Sequence, residues 1–357
     1  MKVTALELKG FRNLEETLLQ PDGGVNIIYG ENAQGKTNIL EALWLFSGLK
    51  SFRGAKDSEL IRFGSRFAKM KCCFEDSRRE QKAEMTIENR RSVKLNGVQL
   101  RSPTEIMGKF SAVVFSPSFM SLIKDGPEQR RRFIDSAICQ IKPNFAPVLA
   151  EYNRLVRQRN SLLKDIQFES SLLDMLDVID ERLGIVGERI YEERKNYLEL
   201  IIPEATSIYT GLSSGKEEIS LLYLKKDGDK GEDTLADILK SNRKTDIINK
   251  TTSAGPHRDD IDITLNGISA RSYGSQGQQR SCAVALKLAE ASVIKNVTGE
   301  QPVILLDDVM SELDSARQDY ILNHIRDRQV FVTCCEPSTI MRLCGGKTFN
   351  IEKGRII

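Results

Sequence analysis

The chain has 357 residues, enough for one large core or two domains, and its 40% hydrophobic and 29% charged content is ordinary for a globular protein. A net charge of +2 excludes a globally basic nucleic-acid binder, and no apolar run approaches the roughly 18–20 residues of a membrane span. Met1–Leu6 carries no hydrophobic signal core, and seven cysteines without C-x-x-C spacing read as reduced thiols of a cytoplasmic protein.

Residues 2–9 alternate loosely through Val3, Ala5, Leu6 and Leu8, a strand that runs into a turn at Gly10-Phe11-Arg12-Asn13-Leu14. Val25–Tyr29 reads as a short buried strand. It feeds Gly30-Glu31-Asn32-Ala33-Gln34-Gly35-Lys36-Thr37, which matches the phosphate-loop pattern G-x-x-x-x-G-K-[ST] at every fixed position. Asn38–Phe46 then places apolar residues at helical spacing. In this strand–loop–helix setting the glycines let backbone amides turn toward a triphosphate, and the helix N-terminus adds partial positive charge. Lys36 is placed to reach the β- and γ-phosphates, and the Thr37 hydroxyl to bind Mg²⁺. Gly30 through Asn38 are thus the candidate ATP-binding residues.

Ser51-Phe52-Arg53-Gly54 is polar and basic and is expected to border the nucleotide or another ligand. Hairpin segments follow at Phe67–Phe74 with Ala83–Ile87, and at Val93–Leu95 with Val98–Leu100 around the Asn96-Gly97 turn. Ser111–Phe115 is a buried strand ended by Ser116-Pro117. Between Lys50 and Arg132 there are 19 Lys+Arg against 10 Asp+Glu, either a surface for a polyanion or a solvated face.

From Gly126-Pro127 the pattern becomes helical to about Ile202. Leu149, Tyr152, Leu155 and Val156 form one apolar stripe; Leu172, Leu173, Leu176, Ile179, Leu183 and Val186 form another. These stripes pack on each other as a helical subdomain too interrupted for a long coiled coil. A strand is expected at Leu221–Leu224, a polar linker at Lys226–Asp233 and a helix over Leu235–Ile248.

The pattern returns to α/β at Thr251, with a turn at Ser253–Asp260, a strand at Ile261–Leu265 and a tight turn at Asn266-Gly267. Ser275-Gln276-Gly277-Gln278-Gln279 opens a helix running to about Asn296. Val303–Leu306 is a buried parallel strand ending in Asp307 and Asp308. Asp307 is placed to hold Mg²⁺, and Asp308 to polarise an attacking water. A helix over 315–328, a strand at Val330–Thr333 and a last strand near Thr348–Ile351 complete the chain.

Ser275, Gly277 and Gln278 resemble the signature motif of ATP-binding-cassette ATPases, and Ser311-Glu312-Leu313-Asp314 their D-loop. In that superfamily the signature meets nucleotide held by the other subunit. The 238 residues from Thr37 to Ser275 exceed what a transporter cassette needs, and Asp308 stands where such cassettes carry Glu, which suggests slow hydrolysis.

Over essentially its whole length the chain resembles the RecF family of bacterial DNA replication and repair proteins. The resemblance rests on Lys9-Gly10-Phe11-Arg12-Asn13, on Gly30–Ala42, and on Gly126-Pro127 with Arg130–Asp135. It extends through Gly255-Pro256-His257-Arg258-Asp259-Asp260, Ser275–Arg280 and Leu305–Asp314. It implies an α/β ABC/Rad50-like ATPase head (lobe I, 1–120 and 251–357) with an inserted helical lobe II (121–250) and no long coiled coil. It also implies an ATP-dependent homodimer that clamps DNA at single-strand gaps or junctions, partners RecR and RecO, and helps load recombinase. Arg53, Lys56, Arg130, Arg131 and Arg132 are the candidate DNA contacts, chosen for clustering; each is otherwise a solvated or ion-paired surface residue. Two features depart from the pattern: no glutamine follows Ser116-Pro117, and no histidine follows Val330–Thr333. A small-molecule kinase with a helical lid is the alternative, with no use for the Ser275–Gln279 motif. A transporter subunit is disfavoured by the long insertion.

Overall fold

A computed structural model describes residues 1–166, 171–226 and 233–357, the side chains of Thr339, Leu343 and Cys344 excepted. The polar linker expected at 226–233 lies outside the described residues apart from its two ends.

β1 (Lys2–Lys9) buries Val3, Leu6 and Leu8, and a bulge between Val3 and Ala5 explains why its alternation looks loose in sequence. β2 (Thr17–Leu19) pairs antiparallel with it. β3 (Val25–Tyr29) opens a second sheet and leads into α1 (Lys36–Leu45), which is largely buried. The chain then returns to the first sheet with β4 (Ala68–Glu75), β5 (Glu80–Ile87), β6 (Arg91–Leu95) and β7 (Val98–Gln99), giving the order β2-β1-β4-β5-β6-β7. Asn96 and Gly97, both at positive φ (51° and 83°), make the tight turn between β6 and β7. β8 (Ala112–Phe115), buried at all four residues, rejoins the second sheet.

Helices dominate next: α2 (Ser121–Lys124), α3 (Pro127–Ile141), α4 (Phe145–Asp165) and α5 (Leu172–Ser213). With 42 residues, α5 is about 63 Å long. β9 (Ile219–Leu224) follows it. The single helix expected over 235–248 is instead two, α6 (Leu235–Ser241) and α7 (Arg243–Asn249), broken at Asn242. Thr234 caps α6 through a reciprocal bond with Asp237.

β10 (Asp260–Leu265) and β11 (Ile268–Ser269) join β9 in a three-stranded sheet, so this sheet is built from both sides of residue 250. α8 (Ala270–Tyr273) and α9 (Gln276–Thr298) precede β12 (Val303–Asp307), which is buried throughout. α10 (Ser315–His324) is shorter than the expected 315–328, because the buried Ile325 turns out of helical geometry. β13 (Val330–Cys334), α11 (Ser338–Cys344), β14 (Lys347–Glu352) and β15 (Arg355–Ile356) finish the chain.

The second sheet runs β15-β14-β3-β13-β12-β8, parallel from β14 to β8. Covered strands of this kind read as continuous apolar runs, as Val303–Leu306 does. α1 packs on this sheet, and α9 lies against β8 and α5. The helical region is pinned by a fully buried cation: Arg159 bonds Asp180 and Asp246 at 2.6 Å each and Thr252 at 3.1 Å. Among the described residues no helix is long and apolar enough to cross a membrane, and six cysteines are free thiols.

Candidate nucleotide-binding site

The phosphate loop lies at the C-terminal end of β3, in the middle of the parallel sheet, where open α/β sheets bind ligands. Its glycines are required by space as well as torsion. Gly30 has φ +144°, and a Cβ there would meet the Ile351 carbonyl oxygen at 2.4 Å. Gly35 has φ +115°, and its Cβ would lie 2.8 Å from Asn13 Oδ1. Lys36 is folded across the loop, its Nζ donating to the carbonyls of Gly30 (2.6 Å) and Glu31 (2.8 Å).

Two distant segments buttress the loop. Asn13 Nδ2 donates to the Ala33 carbonyl at 3.0 Å, and Asn13 Oδ1 accepts from Asn38 Nδ2 at 2.7 Å. From the other end of the chain, the Lys353 amide donates to Gln34 Oε1 at 2.5 Å. Asn32 accepts a thiol hydrogen bond from the exposed Cys335 at 3.3 Å.

Thr37 and Asp307 are brought together: Thr37 Oγ1 donates to Asp307 Oδ1 at 2.7 Å, and Thr333 Oγ1 donates to the same oxygen at 2.9 Å. Asp307 is 5% exposed, and burial pushes its carboxyl above the ordinary aspartate range against the opposing pull of these two hydroxyls. Asp308 turns back at φ +53°, with its amide on Thr333 Oγ1 and its carbonyl accepting from Ser311 Oγ. A buried carboxylate flanked by hydroxyls is a hard-oxygen donor set, which fits Mg²⁺.

The signature turn is complete in itself. Ser275 Oγ accepts from the Gln278 amide (3.2 Å) and Gln278 Oε1 accepts from the Ser275 amide (2.7 Å), so the two cap α9 reciprocally. Gln278 Nε2 also donates to Glu217 beyond α5, at 2.6 Å. Arg317 ties this turn to the D-loop: it pairs with Asp314 and donates to the Gly277 carbonyl (3.1 Å) and Ser281 Oγ (2.9 Å). Among the described residues no hydrogen bond joins the signature turn to the phosphate loop.

The five basic candidates part company. Arg130 is buried and committed within the chain, with bonds of 2.7 and 2.9 Å to Asp260; it is removed from the exposed set because Asp260, 130 residues on, neutralises it. Arg131 is half-buried and donates to the Asp259 carbonyl. Burial and the nearby Arg194 lower its pKa. Arg132 is exposed. Arg53 reaches the loop helix, donating to Asn38 Oδ1 at 3.0 Å, while Lys56 is exposed at the start of a short turn. Ser51, Phe52, Arg131 and Arg132 line one cleft of about 640 Å³ between the sheet and the helices. Gly255–Asp259 packs inward: His257 bonds Tyr152 Oη (2.8 Å) and the Thr252 carbonyl (3.2 Å), and the Tyr223 hydroxyl donates to Asp259.

Sequence reasoning missed Thr333 and Arg317. A hydroxyl at a strand end and an arginine in a polar helix carry no local signal of their role.

Residues 2–353 match the family model of the RecF/RecN/SMC N-terminal domain. The chain is 41% identical over 336 residues to DNA replication and repair protein RecF of Lachnoclostridium phytofermentans, covering 94% of this chain and 92% of that one. It is 38% identical to the RecF of Clostridioides difficile, covering 100% and 98%. Among solved structures it is similar to the recombination mediator protein RecF with ATP in the RecFOR pathway (TM-score 0.92, 38% identity, 100% and 97% covered). A more distant likeness, to an Smc head bound to the winged-helix domain of ScpA (TM-score 0.58, 18% identity, 100% and 97% covered), concerns the fold alone.

Proposed function

Because the chain belongs to the RecF family of DNA replication and repair proteins, within the RecF/RecN/SMC ATPases, we propose that it is an ATP-gated DNA clamp acting with RecR and RecO at single-strand gaps and junctions. In this reading residues 1–120 and 251–357 form the ATPase lobe and 121–250 the helical lobe. Gly30–Asn38 cradle the triphosphate, Lys36 releases the loop carbonyls to meet phosphate oxygens, and Thr37 with Asp307 would hold Mg²⁺. The ion, when bound, supplies charge neutralisation on the phosphate oxygens. Asp308 orients the attacking water on a shorter arm than glutamate, so turnover is slow and hydrolysis serves to release the clamp.

One observation carries the reading: the loop and the signature turn are each internally bonded, yet among the described residues no hydrogen bond joins them within one chain. Ser275, Gly277 and Gln278 therefore serve nucleotide on a second copy, and ATP closes a head-to-tail pair around DNA, from which recombinase is loaded. Basic side chains along the groove neutralise backbone phosphates, giving salt-sensitive binding with little sequence preference.

Sedimentation velocity on wild type and Ser275→Arg, with and without a slowly hydrolysed ATP analogue, tests this. Nucleotide-dependent dimers that the substitution abolishes, with ATP binding intact, support the clamp. A wild type that binds ATP and stays monomeric overturns it in favour of a kinase-like enzyme with a helical lid.

A further inference from the structure

Phe63 is wholly exposed (104%) and Phe67, four residues on, is 41% exposed. Single apolar residues on a surface need no explanation. Two phenyl rings in one six-residue stretch, alternating with arginine as Arg62-Phe63-Gly64-Ser65-Arg66-Phe67, are a different matter.

The loop is also built. The Ser65 amide bonds the Arg62 carbonyl at 2.9 Å and Gly64 has φ +83°, a type II turn that puts Phe63 at its tip. A Cβ added at Gly64 would meet nothing within 4 Å, so the turn is open on that side. Its base is fixed: the Arg62 amide bonds the Gly10 carbonyl at 2.8 Å, and Phe11 bridges Ile61. Charge around it is predominantly positive, although Arg62 itself pairs with Glu15 at 3.2 Å. Residues 53–71 hold six Lys+Arg against two Asp+Glu, and Arg66 and Lys69 make no ion pair among the described residues.

An exposed ring on a rigid turn, flanked by unpaired cations, is the chemistry that receives a nucleobase between phosphates. We propose that the Arg62–Ser65 turn is a DNA contact in which Phe63 stacks on an unpaired base while Arg66 and Lys69 hold the neighbouring phosphates. The proposal rests on the reading of the chain as a DNA-binding protein, and gives that reading a reason to prefer gaps over intact duplex. The same residues 10–13 that seat the turn also hold the phosphate loop through Asn13, so contact at the tip bears on the frame of the nucleotide site.

The test uses the full chain with an ATP analogue and two fluorescent DNAs: one gapped with 2-aminopurine in the gap, one fully paired. Phe63→Ala is expected to bind gapped DNA about 5- to 100-fold more weakly and to lose the quenching of 2-aminopurine, with little change on duplex. Phe63→Trp restores both. Arg66→Ala lowers the slope of log affinity against log salt by about one, and Phe63→Ala leaves that slope alone. Thermal melting checks that the variants are folded, as expected at a position with no packing partner. Phe63→Ala that matches wild type in affinity and quenching overturns the proposal while DNA binding stands. Equal loss on both DNAs with quenching kept overturns stacking. A wild type that binds neither DNA sinks the DNA reading itself.

Discussion

Thr37 and Asp307 share a 2.7 Å hydrogen bond that joins the first turn of α1 to the last residue of β12. Burial raises the pKa of Asp307, so its ionised form is disfavoured in the fold, and its contribution to stability falls as pH rises through that raised pKa. Asp307→Asn removes this penalty. Without nucleotide the variant is expected to melt at or above the wild-type temperature at neutral pH. Single-turnover hydrolysis with Mg²⁺ is expected to drop about 100-fold. A clear loss of melting temperature in the ligand-free variant would contradict the desolvation argument.

Arg12 holds the fully buried Glu41 through two bonds of 2.9 Å, and Ser51 Oγ adds a third to the same carboxylate. Arg12→Ala leaves that charge only the longer ion pair from Arg53 (3.9 Å) and the Ser51 hydroxyl, and is expected to cost about 3 kcal/mol in urea unfolding. Glu41→Gln in the Arg12→Ala background recovers part of the loss, because a neutral amide is cheaper to bury than a carboxylate. No recovery would mean that packing of the Arg12 stem, not the charge, carries the effect.

Arg159 is the larger case, with two buried aspartates bonded to it, Asp180 being shared with Arg243 at 2.9 Å. Arg159→Met is expected to destabilise by about 3–5 kcal/mol. Adding Asp180→Asn and Asp246→Asn reduces that cost, which calorimetry on the three variants can read.

His257 gives a pH signature. Burial lowers its pKa from 6.5 to about 4, so the unfolded chain binds its proton first on acidification. Its contribution to stability is present above pH 6.5, is lost as pH falls toward about 4, and is constant below that. The span is on the order of 3 kcal/mol. Chemical denaturation from pH 7 to 4 should show His257→Asn with a shallower decline than wild type; parallel curves would refute the assignment.

The phosphate loop was legible because its chemistry is written in eight consecutive residues and its strand and helix follow local rules. Asp307 was legible because a covered parallel strand must be apolar until it ends. Arg130 was misjudged for the opposite reason: whether a charge is free depends on Asp260, and nothing near Arg130 announces that partner. The break at Asn242 and the cap at Thr234 were overlooked because both fall in polar stretches, 240–246 and 225–234, that carry no apolar period to interrupt. Thr333, Arg317 and the Arg159 network are purely tertiary. Three-dimensional pairing, not composition, gives those residues their roles.

β3 occupies the middle of its sheet, and every strand it pairs with is synthesised some 300 residues later. At about 5–20 residues per second, the loop at Gly30 waits roughly 15–60 s on the ribosome for Val330–Cys334 and Ile351 to arrive. During that wait Val25–Tyr29 has unpaired edges on both sides, a hazard that a nascent-chain chaperone would relieve. Completion of the nucleotide pocket thus waits on the synthesis of β13 and β14. A chain cut before β13 would carry the motif without the strands that frame the pocket.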